Sequence, residues 1–345
     1  MSNEPILQNL TQPPKASKHE LYKWCDYIEL RCLTHVDKRF SRDALCEAIS
    51  ESKDIDVTSD DVMTENDISD LPEEEEVEGA GVSGVENNED DKQAAFSAIC
   101  FNQFRWRKEA FGDAWPFELD DHAKEIRFIK SLTSKHLLYL QLLLSSSLKY
   151  CPKRRQRDLT GKFERISFYI FENLMPRGAE VHAFGAAEST HYQGHLFDRL
   201  GKLANDIRGT LCLERRHFAK NDAGDGGLDL VAWHSLCDER EGLPIAFAQC
   251  GCTADGWPDK MLEASPSRLG GSLHVRHEWA TYYFMPLDLS SKNDLKMDWQ
   301  HLSNFGKSIV IDRLRFIRLA ESFSLFGKDI SDVMVVTEAA SMRLT

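Results

Sequence analysis

Residues 226–233 (GGLDLVAW) constrain the fold of this chain more than any other segment. Two glycines lead into an apolar run that is typical of a short buried strand, and Asp229 lies inside that run. A second apolar run, residues 246–251 (AFAQCG), follows soon after it and carries Gln249. A carboxylate is costly to bury among apolar side chains unless a metal ion, a lysine or an arginine meets it. The two runs therefore predict two buried strands with a polar site at Asp229 and Gln249.

The length of 345 residues is enough for two domains, or for one large domain with a sizeable core. The most hydrophobic helical stretch, residues 137–148, is too short to span a bilayer. The first residues lack the basic and apolar regions of an export signal. Nine cysteines, an odd number without a regular spacing, favour reduced thiols. These features predict a cytoplasmic protein with no membrane partner.

The net charge of −14 is concentrated in one part of the chain. Residues 51–91 hold seventeen acidic residues and one lysine, so the remainder carries a charge of about +2. We interpret residues 51–95 as a disordered acidic linker or insert, because they are acidic, bear glycine and serine, and are poor in aromatic residues. An alternative is an acidic mimic of nucleic acid that occupies a basic groove until it is displaced. A body close to neutral is compatible with nucleic-acid binding.

Composition and periodicity divide the chain into four segments. They are a small helical element over 1–50, the acidic insert over 51–95, a helical region over 96–150 and a larger α/β domain over 151–345. Within the last segment, strands are expected at 179–184, 210–218, 228–236, 244–252 and 280–287, and helices at 159–174, 193–207 and 257–263. Residues 308–323 begin like a strand and continue as a helix.

A basic stretch marks the start of the α/β domain. After Pro152 it holds four cations, Lys153, Arg154, Arg155 and Arg157. Their chemistry suits contacts to a nucleic-acid backbone. A solvated turn between two domains explains the same residues equally well, so both interpretations stay open.

The order helix, strand, strand, strand, helix, strand over residues 193–287, with Asp229 and Gln249 on successive strands, resembles the core of the PD-(D/E)XK nuclease superfamily. The Gly-Gly pair before the strand of Asp229 resembles Mrr-like and restriction-like members. The middle region of the chain resembles proteins of bacterial antiphage defence loci. The resemblance implies a restriction endonuclease-like mixed sheet flanked by helices. It also implies a Mg²⁺-dependent (or Mn²⁺-dependent) endonuclease that hydrolyses phosphodiester bonds, with DNA as the favoured substrate. A homodimer and a partner subunit, such as an ATPase of the same defence locus, would fit this class.

The resemblance assigns three metal ligands to the predicted strands, and Asp198 on a predicted helix would be a fourth. Asp229 would be the principal ligand, Gln249 would stand in the position of the second acid, and the backbone carbonyl of Cys250 would add a further oxygen. Mg²⁺ prefers oxygen ligands and retains several waters, so this small set is chemically adequate. The cation would neutralise developing charge and lower the pKa of an attacking water.

The chain departs from the superfamily at the lysine of the motif. That lysine is expected two residues after Gln249, where this sequence has Gly251. Lys260, on the following predicted helix, would replace it as a catalytic residue. If so, the side chains of Asp229, Gln249 and Lys260 should converge on one point.

A helical acid often completes the site in this superfamily, and Asp198 on the predicted helix 193–207 is the best candidate. Glu188, Glu214 and Asp225 are poorer candidates, and Asp225 is more typical of a turn. Asp198 followed by Arg199 is equally consistent with an ordinary surface pair.

Two other functions remain open. The absence of the motif lysine favours a catalytically degenerate scaffold or adaptor that keeps the nuclease fold. An RNA-cleaving toxin is not separable from a DNase by sequence. A zinc site is disfavoured because Cys250 and Cys252 have no second thiol pair at zinc spacing, and a nucleotide-driven motor is disfavoured because there is no P-loop.

Overall fold

The structure is a computed structural model that describes residues 5–14, 20–51, 89–185, 189–219, 224–293, 296–300, 302–327, 331 and 333–344. Its internal contacts divide the chain into two compact units. One unit comprises residues 7–131 with 338–345, and the other comprises residues 132–337 with 1–6. Residues 52–88 of the predicted acidic insert over 51–95 lie outside the described residues, so their disorder stays a prediction, whereas residues 89–95 are the start of the helix Glu89–Phe111 and the predicted boundary at 95 is wrong.

In its described residues, the unit of residues 7–131 combines three α-helices with a small antiparallel sheet. The helices are α1 (Leu21–Thr34), α2 (Arg42–Glu51) and α3 (Glu89–Phe111). The strands, in the spatial order β1-β3-β2, are β1 (Arg39–Ser41), β2 (Phe117–Leu119) and β3 (Glu125–Phe128). The region predicted as helical over 96–150 therefore contains two strands. Buried Phe117 and Ile126 are followed by exposed Glu118 and Arg127, which is the alternation of a half-buried strand.

Helix α4 (Ser134–Ser146) belongs to the second unit, so the structural division falls near residue 131 and not at the predicted 150. Thr133 caps this helix, because its side chain accepts from the His136 N–H while the His136 ring accepts from the Thr133 N–H. The leucine-rich surface of α4 packs on α5 (Lys153–Leu174) and on the helix Arg313–Ser322. In the described part of the chain, no helix combines the length and the apolar character needed to cross a membrane.

A five-stranded mixed sheet forms the centre of the second unit, as the sequence predicts. Its spatial order is β12-β9-β7-β6-β4, with antiparallel pairing from β4 through β6 to β7 and parallel pairing from β7 through β9 to β12. These strands are β4 (Glu180–Ala183), β6 (Leu230–Trp233), β7 (Ile245–Cys250), β9 (Ala280–Phe284) and β12 (Ser308–Ile311).

Helices flank this sheet. Helix α5 packs on β4 and β7, and α6 (Leu196–Asp206) contributes Leu200 and Leu203 to a core cluster with Val231 and Phe247. Side chains alternate along a strand, so Phe247 and Cys250 point to opposite faces of β7. The Ser167 hydroxyl of α5 lies near the Cys250 thiol and opposes the rise in its pKa that burial causes. The two helices therefore cover opposite faces of the sheet.

Three segments differ from their predicted roles. The predicted strand over 210–218 is only the two-residue β5 (Thr210–Leu211), paired with β8 (Leu273–His274), and β4 takes the first place in the sheet instead. The predicted helix over 257–263 is the four-residue α7 (Trp257–Lys260), followed by α8 (Pro266–Leu269). A hairpin of β10 (Ser290–Asn293) and β11 (Lys296–Trp299) precedes β12. After β12, α9 (Arg313–Ser322) and α10 (Val333–Ser341) end the chain.

Candidate active site

Asp229 stands directly before β6 and lines an open cavity of about 260 Å³. The glycines that precede it, Gly226 and Gly227, have φ values of +66° and +83°, so they make the sharp left-handed turn that the sequence predicts. The Asp229 N–H donates to the carbonyl of Ala248 at 3.0 Å, and Ala248 is also the register partner of Leu230. Two consecutive residues facing one partner form a β-bulge. The bulge interrupts the regular alternation of side chains at Asp229, which lines the cavity together with Glu164.

Backbone groups hold Asp229 in place. Its Oδ2 accepts a hydrogen bond from the Cys250 N–H at 2.7 Å, and its carbonyl accepts from the N–H groups of Phe184 at 2.7 Å and Gly185 at 3.4 Å. The residue is only 7% exposed. These contacts fix the carboxyl group at the end of β7, on the floor of the cavity.

Burial raises the pKa of Asp229 to about 8, against the opposing effect of the Cys250 N–H. The charged neighbours that act on it, Glu164, Asp225 and Glu263, are all acidic and raise the pKa further. The carboxyl is therefore mostly protonated at neutral pH, and a bound cation would favour its ionised form.

Glu164, on α5, is a second carboxylate of the same cavity, and sequence reasoning did not select it. The sequence pattern places the helical acid, Asp198, on the helix 193–207, which precedes the predicted strand 210–218. With β4 in that place, the preceding helix is α5. Glu164 lies on this helix, so an acid on the helix before the first sheet strand is the sequence signal that would select it.

Gln249 is nine-tenths buried and does not line the Asp229 cavity. It lies two residues after Phe247 on β7 and therefore faces α6, whereas the bulge turns Asp229 toward α5. Its Oε1 has no hydrogen-bond partner among the described residues. The structure thus keeps these two side chains on different faces at adjacent strand ends, and the role of Gln249 as a ligand stays a prediction.

The position of the missing lysine is filled by another side chain. A Cβ atom added to Gly251 would lie 2.0 Å from the Tyr283 Oη and 2.8 Å from its Cζ. Tyr283, the register partner of Gln249 on β9, is fully buried, and burial raises the pKa of its hydroxyl. No side chain larger than glycine's fits at Gly251 without displacing Tyr283.

Lys260 and Asp198 lie elsewhere. Lys260 is the half-buried last residue of α7, close enough to the Cys252 thiol to oppose the rise in its pKa that burial causes, and it does not line the Asp229 cavity. Asp198, on α6, is exposed and accepts a hydrogen bond from the Arg215 Nη1 at 2.8 Å. Of the three side chains expected to converge, only Asp229 lines this cavity, whereas Gln249 and Lys260 do not. The catalytic roles of Lys260 and Asp198 stay predictions.

The remaining candidates are placed as follows. Glu188 lies outside the described residues, and exposed Glu214 pairs with Arg216 at 2.9 Å. Asp225 Oδ1 accepts from the Gly227 N–H at 2.9 Å, which is a turn contact. The basic residues form the first turns of α5, where Lys153, Arg154 and Arg157 are exposed and Arg155 is half-buried.

Arg199, the neighbour of Asp198, is the buried residue of that pair, with 1% exposure. Its Nη1 donates to the Phe184 carbonyl at 2.9 Å and its Nη2 donates to the Gly224 carbonyl. Its guanidinium also lies 5.3 Å from the centre of the Phe184 ring. These carbonyls belong to the two segments that flank Asp229, so Arg199 positions the backbone around that carboxyl group.

We expect Arg199→Lys to lower the free energy of unfolding by about 2 kcal/mol, because an ammonium cannot reach both carbonyls in the fixed geometry of a guanidinium. Urea denaturation would measure the change. Arg215→Lys, at an exposed arginine, is the matched control and should stay within about 0.5 kcal/mol of the parent. Equal effects of the two substitutions would contradict the positioning role.

Comparisons with protein-family models, with curated protein sequences and with solved structures each give no match to this chain. Among the described residues, no group of three or more His, Cys, Asp or Glu side chains could hold a metal ion. A cation at the Asp229 cavity would therefore have at most two carboxylate ligands from these residues.

Proposed function

We propose that this chain is a divalent-cation-dependent nuclease of the restriction endonuclease-like class, with DNA as the favoured substrate. The observation that carries the proposal is the pair of carboxylates, Asp229 and Glu164, on one open cavity at the edge of a mixed sheet. The proposal includes a cytoplasmic role in bacterial antiphage defence. A homodimer and an ATPase partner subunit belong to the same proposal.

The cavity fits Mg²⁺ or Mn²⁺ by the chemistry of its donors. Mg²⁺ is usually bound by one or two carboxylates together with waters and substrate phosphates, so Asp229 and Glu164 are sufficient. A bound cation supplies charge neutralisation and a water of lowered pKa for phosphodiester hydrolysis. The Cys250 N–H orients Asp229 for this task, and Arg199 fixes the flanking backbone.

The remaining steps fall to other residues of the chain. The exposed cations at the start of α5 would contact substrate phosphates. These contacts would weaken as the salt concentration rises. Asp229 would release its proton when the cation binds, because a carboxylate ligand must be ionised. The proton would leave through the open side of the cavity to solvent.

Glu164→Gln tests the proposal most directly. We expect it to lower Mg²⁺-dependent cleavage about 100-fold, since one of two charged ligands becomes neutral. The assay uses linear, circular and single-stranded DNA and RNA, with Mg²⁺, Mn²⁺ or EDTA. Glu172→Gln, at an exposed position of the same helix, is the control and should cleave like the parent. Cleavage by Glu164→Gln at the parental rate would remove the cavity from consideration as the active site.

A catalytically degenerate scaffold is the second candidate function. The observation that favours it is the Tyr283 ring in the position of the motif lysine. This function predicts no metal-dependent cleavage of any of these substrates. The RNA arms of the same assay separate an RNA-cleaving toxin from a DNase.

A further inference from the structure

Aromatic and imidazole rings line the Asp229 cavity together with its carboxylates. Phe168 and Tyr169 of α5, His182 of β4 and His191 are all half-buried cavity residues. Half-buried rings around an open cavity offer faces on which a planar group can stack. These four rings form an aromatic wall of a cavity that also holds the carboxylates of Asp229 and Glu164 and the exposed cation of Arg165.

The imidazole part of this wall is held rigidly. The His182 ring stacks between His191, at 4.1 Å and 15°, and Trp233, at 5.2 Å and 28°. His191 Nε2 lies 2.9 Å from Asp206 Oδ2, which also accepts from the Tyr192 hydroxyl at 2.8 Å. A wall fixed before a ligand arrives loses little conformational entropy on binding.

The environment of the His182 ring favours its neutral form. Burial lowers its pKa, and the nearby His191 lowers it further. Because His191 and Trp233 cover its two faces, His182 offers the hydrogen-bonding nitrogens of its ring edge, and the stacking faces come from the other rings of the wall. Such a surface suits a nucleobase better than it suits a phosphate.

We propose that this cavity holds one unpaired nucleotide, with its base on the aromatic wall and its phosphate toward the exposed Arg165 of the same lining. A volume of about 260 Å³ is slightly below the roughly 300 Å³ at which small-molecule pockets begin, so it accommodates one nucleotide and not a duplex. The cleaved strand would then be single-stranded, or locally displaced from its partner strand. The scissile role of the phosphate rests on the proposed nuclease function, whereas binding of the nucleotide does not.

Binding measured without metal separates the two ideas. Fluorescence anisotropy in EDTA would compare labelled oligothymidylate, oligouridylate and a hairpin duplex of matched length. We expect single strands to bind about tenfold more tightly than the duplex, and the DNA and RNA arms identify which sugar is preferred. Equal affinity for single strands and duplex would overturn the inference.

Tyr169 supplies the decisive variants. We expect Tyr169→Ala to weaken single-strand binding about tenfold, in the range measured for loss of one stacked base, while duplex binding stays unchanged. Tyr169→Phe keeps the ring and should bind like the parent, and thermal unfolding would verify that both variants are folded. An equal loss for single strands and duplex, or no loss, would overturn the inference.

The possible failures point to different conclusions. Selective single-strand binding with the Tyr169 pattern, but no cleavage with any metal, supports the nucleotide site and removes the nuclease function. Metal-dependent cleavage of duplex DNA that is insensitive to Tyr169→Ala supports the nuclease and overturns the unpaired-nucleotide inference.

Discussion

Asp229→Asn is expected to abolish cleavage and at the same time to stabilise the fold above neutral pH. The folded-state pKa of about 8 lies above the value of about 3.9 for an unfolded aspartate, so the folded protein holds this proton more tightly. The stability that this carboxyl contributes is complete below about pH 4 and is lost as pH rises through about 8. Asparagine carries no charge, and its Oδ1 can still accept from the Cys250 N–H.

Urea denaturation at pH 5 and pH 8.5, in EDTA, measures this effect. The stability gain of Asp229→Asn over the parent should grow by on the order of 4 kcal/mol between the two pH values. Asp259→Asn, at an exposed aspartate of α7, is the matched control and should show no such growth. Parallel stability curves for Asp229→Asn and the parent would mean that Asp229 is ionised in the folded protein.

The same proton gives a signature of cation binding. At pH 6.5, Mg²⁺ binding to the parent should release close to one proton, and at pH 9 it should release few, because Asp229 is then already ionised. Calorimetry in buffers of different ionisation enthalpy would count the protons. Binding without proton release at pH 6.5 would place the cation away from Asp229.

Gly251→Ala is expected to lower the free energy of unfolding by about 3 kcal/mol, and Gly251→Lys by more. The added Cβ would enter the space of the Tyr283 hydroxyl, and overpacking of a rigid core costs about this much. Gly251→Lys would restore the lysine of the motif in sequence without restoring its geometry, so no gain of cleavage is expected.

A double-mutant cycle identifies Tyr283 as the cause. In a Tyr283→Leu background the loss caused by Gly251→Ala should shrink by more than about 1 kcal/mol, because the obstructing hydroxyl is gone. Gly161→Ala is the control, since it lies in the interior of α5 with open space around its Cβ position and should stabilise slightly. Additive effects of Gly251→Ala and Tyr283→Leu would contradict the steric explanation.

The sequence predicted the part of the site that depends on local pattern. The glycine pair before Asp229, the apolar strands that became β6 and β7, and the absence of a side chain at the lysine position could all be read directly. Glu164 could not be assigned, because a wrong first strand made another helix the expected source of the acid. Only two residues of the predicted strand over 210–218 pair with another strand, as β5. Whether an apolar run forms a strand depends on a partner strand, which the run itself does not specify.

By itself the sequence determined that this chain forms a mixed α/β fold with a buried aspartate at the entrance to a central strand. Regular alternation of side chains and the cost of burying a charge are enough for that conclusion. Only the tertiary structure decided which groups Asp229 meets. The bulge opposite Ala248 turns Asp229 toward α5 and Glu164 and away from Gln249. The Tyr283 side chain of β9 occupies the space beside Gly251 where the side chain of the motif lysine would begin. Both outcomes depend on pairing between strands and packing between elements distant in sequence, which local residue patterns do not encode.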